Sequence, residues 1–376
     1  MMKPKAPLAL YLHIPFCIRK CAYCDFCSYV GREGDMAAYV DRMIEEMQTK
    51  PCNRPIETVY FGGGTPSLLP IGELSRLMEA VYKHYAVSND AEITCEVNPG
   101  TVDRDKLSHI RALGINRLSI GVQSLSDRAL RALSRVHTAA EAIGAYRAAR
   151  EVGFDNISLD LMMGLPGEST EELDATVRGF LALAPEHISA YALMLEEGTP
   201  LASSPLCHTV PDEDATADAM ERVSAMLAEG GYRRYEISNY ARPGYESRHN
   251  LGYWRRREYI GLGVAAYSYL DGMRYGTPRD LEGYLAGRPL SAVDRETLGA
   301  ADREAEHVML SLRLAEGIDR AAYLAEHGRD PHTLFAPVTA RYPEAFSVTE
   351  STLALTERGM AVSNTLIAEL LLLLDP

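Results

Sequence analysis

The chain has 376 residues, with 38 Lys and Arg against 52 Asp and Glu, a formal charge of −14, and 47% apolar residues. At roughly 100–200 residues per domain this makes one large domain or two, with ample apolar chain for a core and too much for wholesale disorder. The acidic balance excludes generic DNA or RNA binding, which needs a basic footprint for counterion release, although a local basic patch would still suit a smaller anion.

Strand and helix signals alternate along the first two hundred residues. Short apolar, β-branched or aromatic runs predict strands at Leu8–Ile14, Thr58–Phe61, Glu92–Val97, Arg117–Gln123, Ile157–Met163 and Ile188–Leu193. Helical patterns lie between them at Met36–Gln48, Gly72–Tyr85, Arg104–Leu113, Ala139–Val152 and Glu171–Leu183. Asp103 and Ser169 are expected N-caps, and Gly114, Gly153 and Gly231 are expected helix stops. Such a run of βα units makes a parallel sheet, either an open doubly wound one or a barrel-like arc. Polar and glycine-rich residues follow several strands: Gly62–Thr65 the second, Glu96–Pro99 the third, Gln123 the fourth. Chemistry at many strand ends favours a barrel, where those ends share one face, over a doubly wound sheet with one switch point. The expected fold is therefore α/β, a partial (β/α)6 TIM-like barrel over residues 1–205.

After Leu195 the pattern loosens. A helix at Asp212–Glu229 and a Tyr-rich segment, Tyr235–Tyr269, make an extension that closes the barrel, residues 206–300. The tail, residues 301–376, reads as a small helical or winged-helix-like domain with short strands at Phe346–Thr349 and Leu353–Leu355. Its apolar run Leu366–Leu374 is interrupted by Glu369 and falls far below the roughly 20 residues that span a bilayer, so a buried helix is expected. Met1–Pro7 carries two Lys, but the apolar run after it stops at His13 and Pro15, unlike a signal peptide. The expectation is a soluble, cytoplasmic protein with no integral membrane segment, no internal repeat and no low-complexity tract.

Of seven cysteines, Cys17, Cys21, Cys24 and Cys27 fall within eleven residues, and Cys52, Cys95 and Cys207 lie apart. A disulfide scaffold would be shorter and would spread its cysteines, so this clustering in a long chain points to a metal site in a reducing compartment. Two sites suit it. Four thiolates would close a tetrahedral zinc, with Cys27 as the fourth. Three thiolates in C-x3-C-x2-C, just after the first strand, would hold a [4Fe–4S] cluster with one iron open to a small cofactor.

With His13-Ile14-Pro15-Phe16 before it and Tyr23 inside it, this spacing resembles the radical S-adenosylmethionine (SAM) superfamily. The resemblance implies that Cys17, Cys21 and Cys24 hold the cluster and that its unique iron binds the methionine end of SAM. An electron from a donor then cleaves SAM to methionine and a 5′-deoxyadenosyl radical. Further strings, Tyr11–Cys17, Phe61–Pro66, Ser119–Ser124 and Asp160–Gly167, resemble the oxygen-independent coproporphyrinogen III oxidase family over nearly the whole chain. By that similarity Tyr11, Tyr23, Gly63, Gly64, Thr65, Glu96, Gln123, Arg135 and Asp160 would contact SAM.

The family has an oxidase branch, which decarboxylates coproporphyrinogen III to protoporphyrinogen IX, and a heme-binding branch that acts as a chaperone for acceptor apoproteins. Three features favour the heme-binding branch. Phe26 stands where the oxidase has a further Cys, and Cys27 is one place out of that register and is given no ligand role. Sixteen residues precede Cys17, where the oxidase carries a longer extension. His249-Asn250-Leu251-Gly252-Tyr253-Trp254 matches the H-N-x-x-Y-W pattern of the heme-binding branch. His249 would then ligate heme iron, Tyr253 and Trp254 would face the porphyrin, and Arg248 and Arg255–Arg257 would meet its propionates. His137, His187 and His208 carry no pattern and are assigned structural roles. In this branch SAM cleavage either gates heme transfer or is a vestige.

Overall fold

A computed structural model describes residues 6–288 and 292–374. The first five residues of the N-terminal segment read above lie outside the described residues.

Six parallel strands form the frame: β1 (Leu8–Ile14), β2 (Cys52–Gly63), β3 (Tyr85–Val97), β4 (Arg117–Gln123), β5 (Ile157–Met163) and β6 (His187–Ala192). They lie side by side in chain order, with Leu12 opposite Phe61 and Phe61 opposite Cys95. The crossovers are α1 (Met36–Thr49), α2 (Ile71–His84), α3 (Arg104–Ala112), a short α4 (Asp127–Ala132) with α5 (Ala139–Glu151), and α6 (Thr170–Leu183). Each long crossover helix turns an apolar stripe toward the sheet; α1 buries Met36, Tyr39, Val40, Met43 and Met47, at near-heptad spacing. The predicted caps hold, with Asp103 accepting from the Lys106 N–H and Ser169 forming a capping box with Glu172. Gly114, Gly153 and Gly231 have φ of +91°, +94° and +85°, the left-handed geometry that ends a helix. The chain thus adopts the expected partial (β/α)6 barrel.

Period-two alternation divides the two faces of this sheet. Leu10, Leu12, Val59, Phe61, Ile93, Cys95, Leu118, Ile120, Leu159 and Leu161 join the helices in one large core. The alternate residues, Thr58 and Tyr60, Glu92 and Glu96, Arg117 and Ser119, Ser158 and Asp160, face the concave side. Hydrogen bonds from Tyr60 to Glu96, Ser119 to Asp160 and Ser158 to His187 join neighbouring strands there. The interior of the arc is polar.

The sheet extends beyond the six expected strands. Tyr259–Leu262 pairs parallel to the free edge of β1, and Tyr267–Leu270, Met273–Gly276 and Val293–Thr297 continue it antiparallel. Asn239–Ala241 and Arg233–Glu236 continue it antiparallel past β6. These strands are three to five residues long, too short for a periodic signal. Helix α7 (Glu213–Glu229) packs against α6, and α8 (Arg248–Trp254) closes the N-terminal end of the arc. There Glu92 accepts from the backbone N–H groups of Arg248 and His249 at 3.1 and 3.0 Å.

A second core gathers Val308, Leu312, Tyr323, Phe335, Leu353, Ile367 and Leu370 from C-terminal helices and a three-stranded sheet. The terminal apolar run is a helix, Ser363–Leu371, that buries Leu366, Ile367 and Leu370. No helix among the described residues is long and apolar enough to cross a membrane.

Candidate functional site

The loop after β1 is pinned at both ends, because Phe16–Cys17 pairs with Tyr29–Val30 and the Tyr29 N–H donates to the Pro15 carbonyl. Between these ends Cys17, Cys21 and Cys24 turn toward the C-terminal mouth of the arc. They line a cavity of about 640 Å³ together with Tyr23, Gly63, Gly64, Thr65, Glu96, Gln123, Arg135 and Asp160. Of the residues expected from the sequence, Tyr11, set back against Tyr60, and His249 do not line it. Residues that sequence reasoning missed also line it: Tyr60, Ser119, Tyr191, and the hydrogen-bonded Ser189–Asn239 pair. The available signal was strand alternation, since Tyr60 sits two residues before Gly62 and Ser119 four before Gln123.

Two side chains approach the thiols. Arg135 donates to Cys21 Sγ at 3.3 Å and to the Gly121 carbonyl at 2.6 Å, and Thr65 Oγ1 lies 3.5 Å from Cys17 Sγ. Burial pushes the Cys17 and Cys24 thiols above their ordinary value. Among the described residues the only His/Cys/Asp/Glu trio with donor atoms within 4.8 Å of one another is His307, Glu326 and His327 in the C-terminal body, where Arg256 already pairs with Glu326. No three of the clustered thiols lie within 4.8 Å of one another among the described residues, whereas a tetrahedral zinc at Zn–S of about 2.3 Å gathers sulfurs about 3.8 Å apart. Three separated thiols around an open cavity fit a larger iron–sulfur cluster.

Glycine is required after β2 by the cysteine loop itself. Gly63 has φ +115°, and a Cβ there would lie 2.7 Å from the His13 ring; at Gly64 it would lie 2.8 Å from the Phe16 carbonyl oxygen. The Gly64 N–H donates to the Ile14 carbonyl at 2.8 Å, so the two loops are held together by backbone. Beyond them, Glu96 accepts from Tyr60 Oη at 2.9 Å and from the Gly63 N–H at 3.2 Å. Burial raises its pKa to about 7, aided by the Asp160 charge and opposed by those hydrogen bonds. Burial likewise lifts Asp160 to about 6 against a 3.0 Å bond from Ser119. Gln123 sits at a register shift with φ +69° and accepts from Tyr191 Oη at 2.8 Å. Together these groups offer a cation beside a thiol and acidic acceptors suited to sugar hydroxyls.

The H-N-x-x-Y-W segment differs from expectation. His249 is 1% exposed at the opposite end of the arc, with Nδ1 2.8 Å from Thr58 Oγ1, Nε2 3.0 Å from Tyr253 Oη, and its ring stacked on Tyr60. Burial, with the Arg117 and Arg257 charges, lowers its pKa to about 3. Both nitrogens are engaged, so neither is free for an iron. Nor are the arginines free for propionates: Arg255 pairs with Glu316, Arg256 with Glu326 and Arg257 with Glu57, while Arg248 donates to the Asp90 carbonyl. Trp254 lies under the Arg313 guanidinium. His137 and His187 are buried and doubly hydrogen-bonded, which suits structural roles.

The radical SAM superfamily model matches residues 11–179. The heme chaperone HemW of Escherichia coli (strain K12) is 39% identical over 331 residues, covering 86% of each chain. The chain belongs to the HemW family. HemW of Bacillus subtilis (strain 168) is 33% identical over 366 residues, 94% of this chain and 96% of that one. The solved coproporphyrinogen III oxidase HemN of Escherichia coli, a radical SAM enzyme, superposes with a TM-score of 0.84 at 25% identity, covering 99% of this chain and 91% of that one. Membership of the radical SAM superfamily brings a [4Fe–4S] cluster and SAM as cofactors, and the three-thiol cavity suits both.

Proposed function

We propose that this HemW-family chain is a cytoplasmic radical SAM heme chaperone, which binds heme and passes it to acceptor apoproteins. The observation that carries the site assignment is the convergence of three thiols and the strand-end polar groups on one cavity. Cys17, Cys21 and Cys24 hold the [4Fe–4S] cluster, which when loaded supplies an open iron for SAM and an electron received from a donor protein. Arg135 anchors the cluster edge through Cys21. Gly63, Gly64 and Thr65 present the methionine end of SAM with backbone and hydroxyl groups, and Glu96 and Asp160 accept from hydroxyls. Tyr23 and Gln123 complete the wall, and Tyr11 acts from behind it by supporting Tyr60.

Family membership supports the chaperone over the oxidase reading, as does Phe26, which is 69% exposed beside the cluster loop where the oxidase pattern has a cysteine. With its nitrogens committed, His249 serves in this reading to hold α8 in the barrel, and the heme iron takes its ligand elsewhere. One experiment tests the whole. Anaerobically reconstituted protein is titrated with heme and, in the same sample, assayed with SAM and coproporphyrinogen III. Stoichiometric heme uptake without decarboxylated product is expected. Turnover to protoporphyrinogen IX would overturn the chaperone reading.

A further inference from the structure

Below the cavity the arc holds a cation that has no partner. Arg117 opens β4 and is 2% exposed on the concave side. Its side chain makes no hydrogen bond and no ion pair among the described residues, and its Nε is buried. Thr94 lies beside it in register on β3, fully buried, and its Oγ1 is likewise without a partner. Two residues further along β4, roughly 6–7 Å nearer the mouth, Ser119 lines the cavity. Arg117 therefore sits one layer beneath the cavity floor. A guanidinium keeps its proton, and an unpaired charge away from water is costly where an apolar side chain of similar size would not be.

The layer around Arg117 is polar but offers it no counter-charge. His187 is held by Ser158 and Tyr235, His249 by Thr58 and Tyr253, and burial keeps both imidazoles neutral. Glu92 is spent on the backbone N–H groups at the start of α8. One layer up stand two buried carboxylates, Glu96 on β3 and Asp160 on β5, and the Arg117 charge opposes protonation of both. Tyr11 of β1 and Tyr60 of β2 face Glu96, and Tyr23 of the cysteine loop and Tyr191 of β6 face Asp160. Burial keeps these tyrosines neutral. Among the described residues the cations acting on the pair are Arg117 and Arg135. Arg135 is committed to Cys21 Sγ and the Gly121 carbonyl, whereas Arg117 is committed to nothing. Two carboxylates buried side by side cannot both stay charged without a cation near them.

We propose that Arg117 is a positioning residue, which from beneath the cavity floor holds Glu96 and Asp160 in their charged, hydrogen-bond-accepting form. Charged carboxylates accept from hydroxyls and attract a cation, which suits SAM, with its ribose hydroxyls, sulfonium and ammonium groups. The consequence for SAM rests on the reading of this cavity as the SAM site; the action of Arg117 on the carboxylates does not.

The test has two arms. Infrared difference spectra of the cofactor-free protein, taken from about pH 5 to 9, follow the protonated carboxyl band, which Glu96→Gln and Asp160→Asn assign. In wild type the Glu96 band should fade with a midpoint of about 7. In Arg117→Met the midpoint should lie about one pH unit higher, and Arg117→Lys should restore it. In the second arm SAM is titrated calorimetrically into cluster-loaded protein. Arg117→Met should bind about five-fold more weakly at pH 7 and recover by about pH 9, whereas a merely structural loss would be equal at every pH. Thermal unfolding checks folding, and Arg117→Gln replaces the Met variant if that one does not fold. Unmoved carboxyl midpoints, or a Lys variant that titrates like the uncharged one, would overturn the proposal. Moved midpoints in a protein that binds no SAM would sink the SAM reading and leave the action of Arg117 on the carboxylates standing.

Discussion

At the residue scale, spacing defines a ligand set and environment separates its members. Replacing Cys17, Cys21 or Cys24 by Ala should abolish iron and sulfide incorporation, while Cys27→Ala should keep both; iron analysis of reconstituted protein decides it. His249→Ala removes two buried hydrogen bonds and a stacked ring, so it should cost about 2–4 kcal/mol of stability in urea unfolding. It should leave the position of the heme absorbance band unchanged, and a shifted band would return the iron ligand to His249. Glu96 supplies a pH test. Below pH 4.5 it is neutral in both the folded and unfolded chain. Between pH 4.5 and about 7 the unfolded chain releases a proton that the folded one keeps, so stability should fall as pH rises, by up to about 1.4 kcal/mol per unit. Asp160 contributes with the same sign between 3.8 and about 6. Glu96→Gln should flatten this slope in cofactor-free protein, as urea midpoints from pH 4.5 to 7.5 would reveal. The motif around His249 was legible in the sequence, but its burial was not, because nothing local to residues 248–257 encodes Thr58, Tyr60 or Glu92 as neighbours.

At the element scale, the glycine loop after β2 and the cysteine loop after β1 form one unit. A methyl group at Gly64 would lie 3.0 Å from the Phe16 nitrogen as well as 2.8 Å from its carbonyl oxygen, and backbone cannot yield as a flexible side chain can. Gly64→Ala should therefore displace Cys17, reducing cluster content on reconstitution and lowering the unfolding midpoint of the cofactor-free protein. Full cluster loading with an unchanged midpoint would disprove this coupling. Helix ends were readable because caps are local chemistry: Asp103, Ser169 and the stop glycines all act within a few residues of themselves. The edge strands were not readable, since Tyr259–Leu262 is a strand only because the edge of β1 offers it hydrogen bonds.

At the scale of the whole molecule, the C-terminal body is attached through the end of α8 and also through Glu357, which accepts from Ser224 of α7 at 3.0 Å and from Arg234 at 2.9 Å. Arg255 grips Glu316 with two bonds of 2.9 Å, Arg256 grips Glu326, and the Ala315 N–H donates to the Tyr235 carbonyl. The basic run that charge alone suggested as an anion site serves here as an attachment. Half-exposed ion pairs contribute little singly, so Arg255→Ala with Arg256→Ala should cost about 0.5–2 kcal/mol, less at high salt. Hydrogen exchange should rise in the helix at Arg320–His327 while β1–β6 remain protected. Uniform protection in the double variant would show that the Glu357 bonds and apolar packing hold the body in place without these two arginines.

The sequence by itself determined the order of βα units, their caps, the three-cysteine spacing and the family they belong to, because these are carried by local periodicity and contiguous strings. Only the tertiary structure decided how the faces are used. It turned the polar face of each strand into the arc, bringing Tyr60 and Tyr191 to a cavity that no motif marks. It sealed His249 in the core and engaged all three arginines of the basic run. It also brought three thiols to that cavity and left Cys27 out of it. The physical reason is the same in each case: which side of a strand or loop meets water, ligand or core depends on what packs against it, and those partners lie tens to hundreds of residues away.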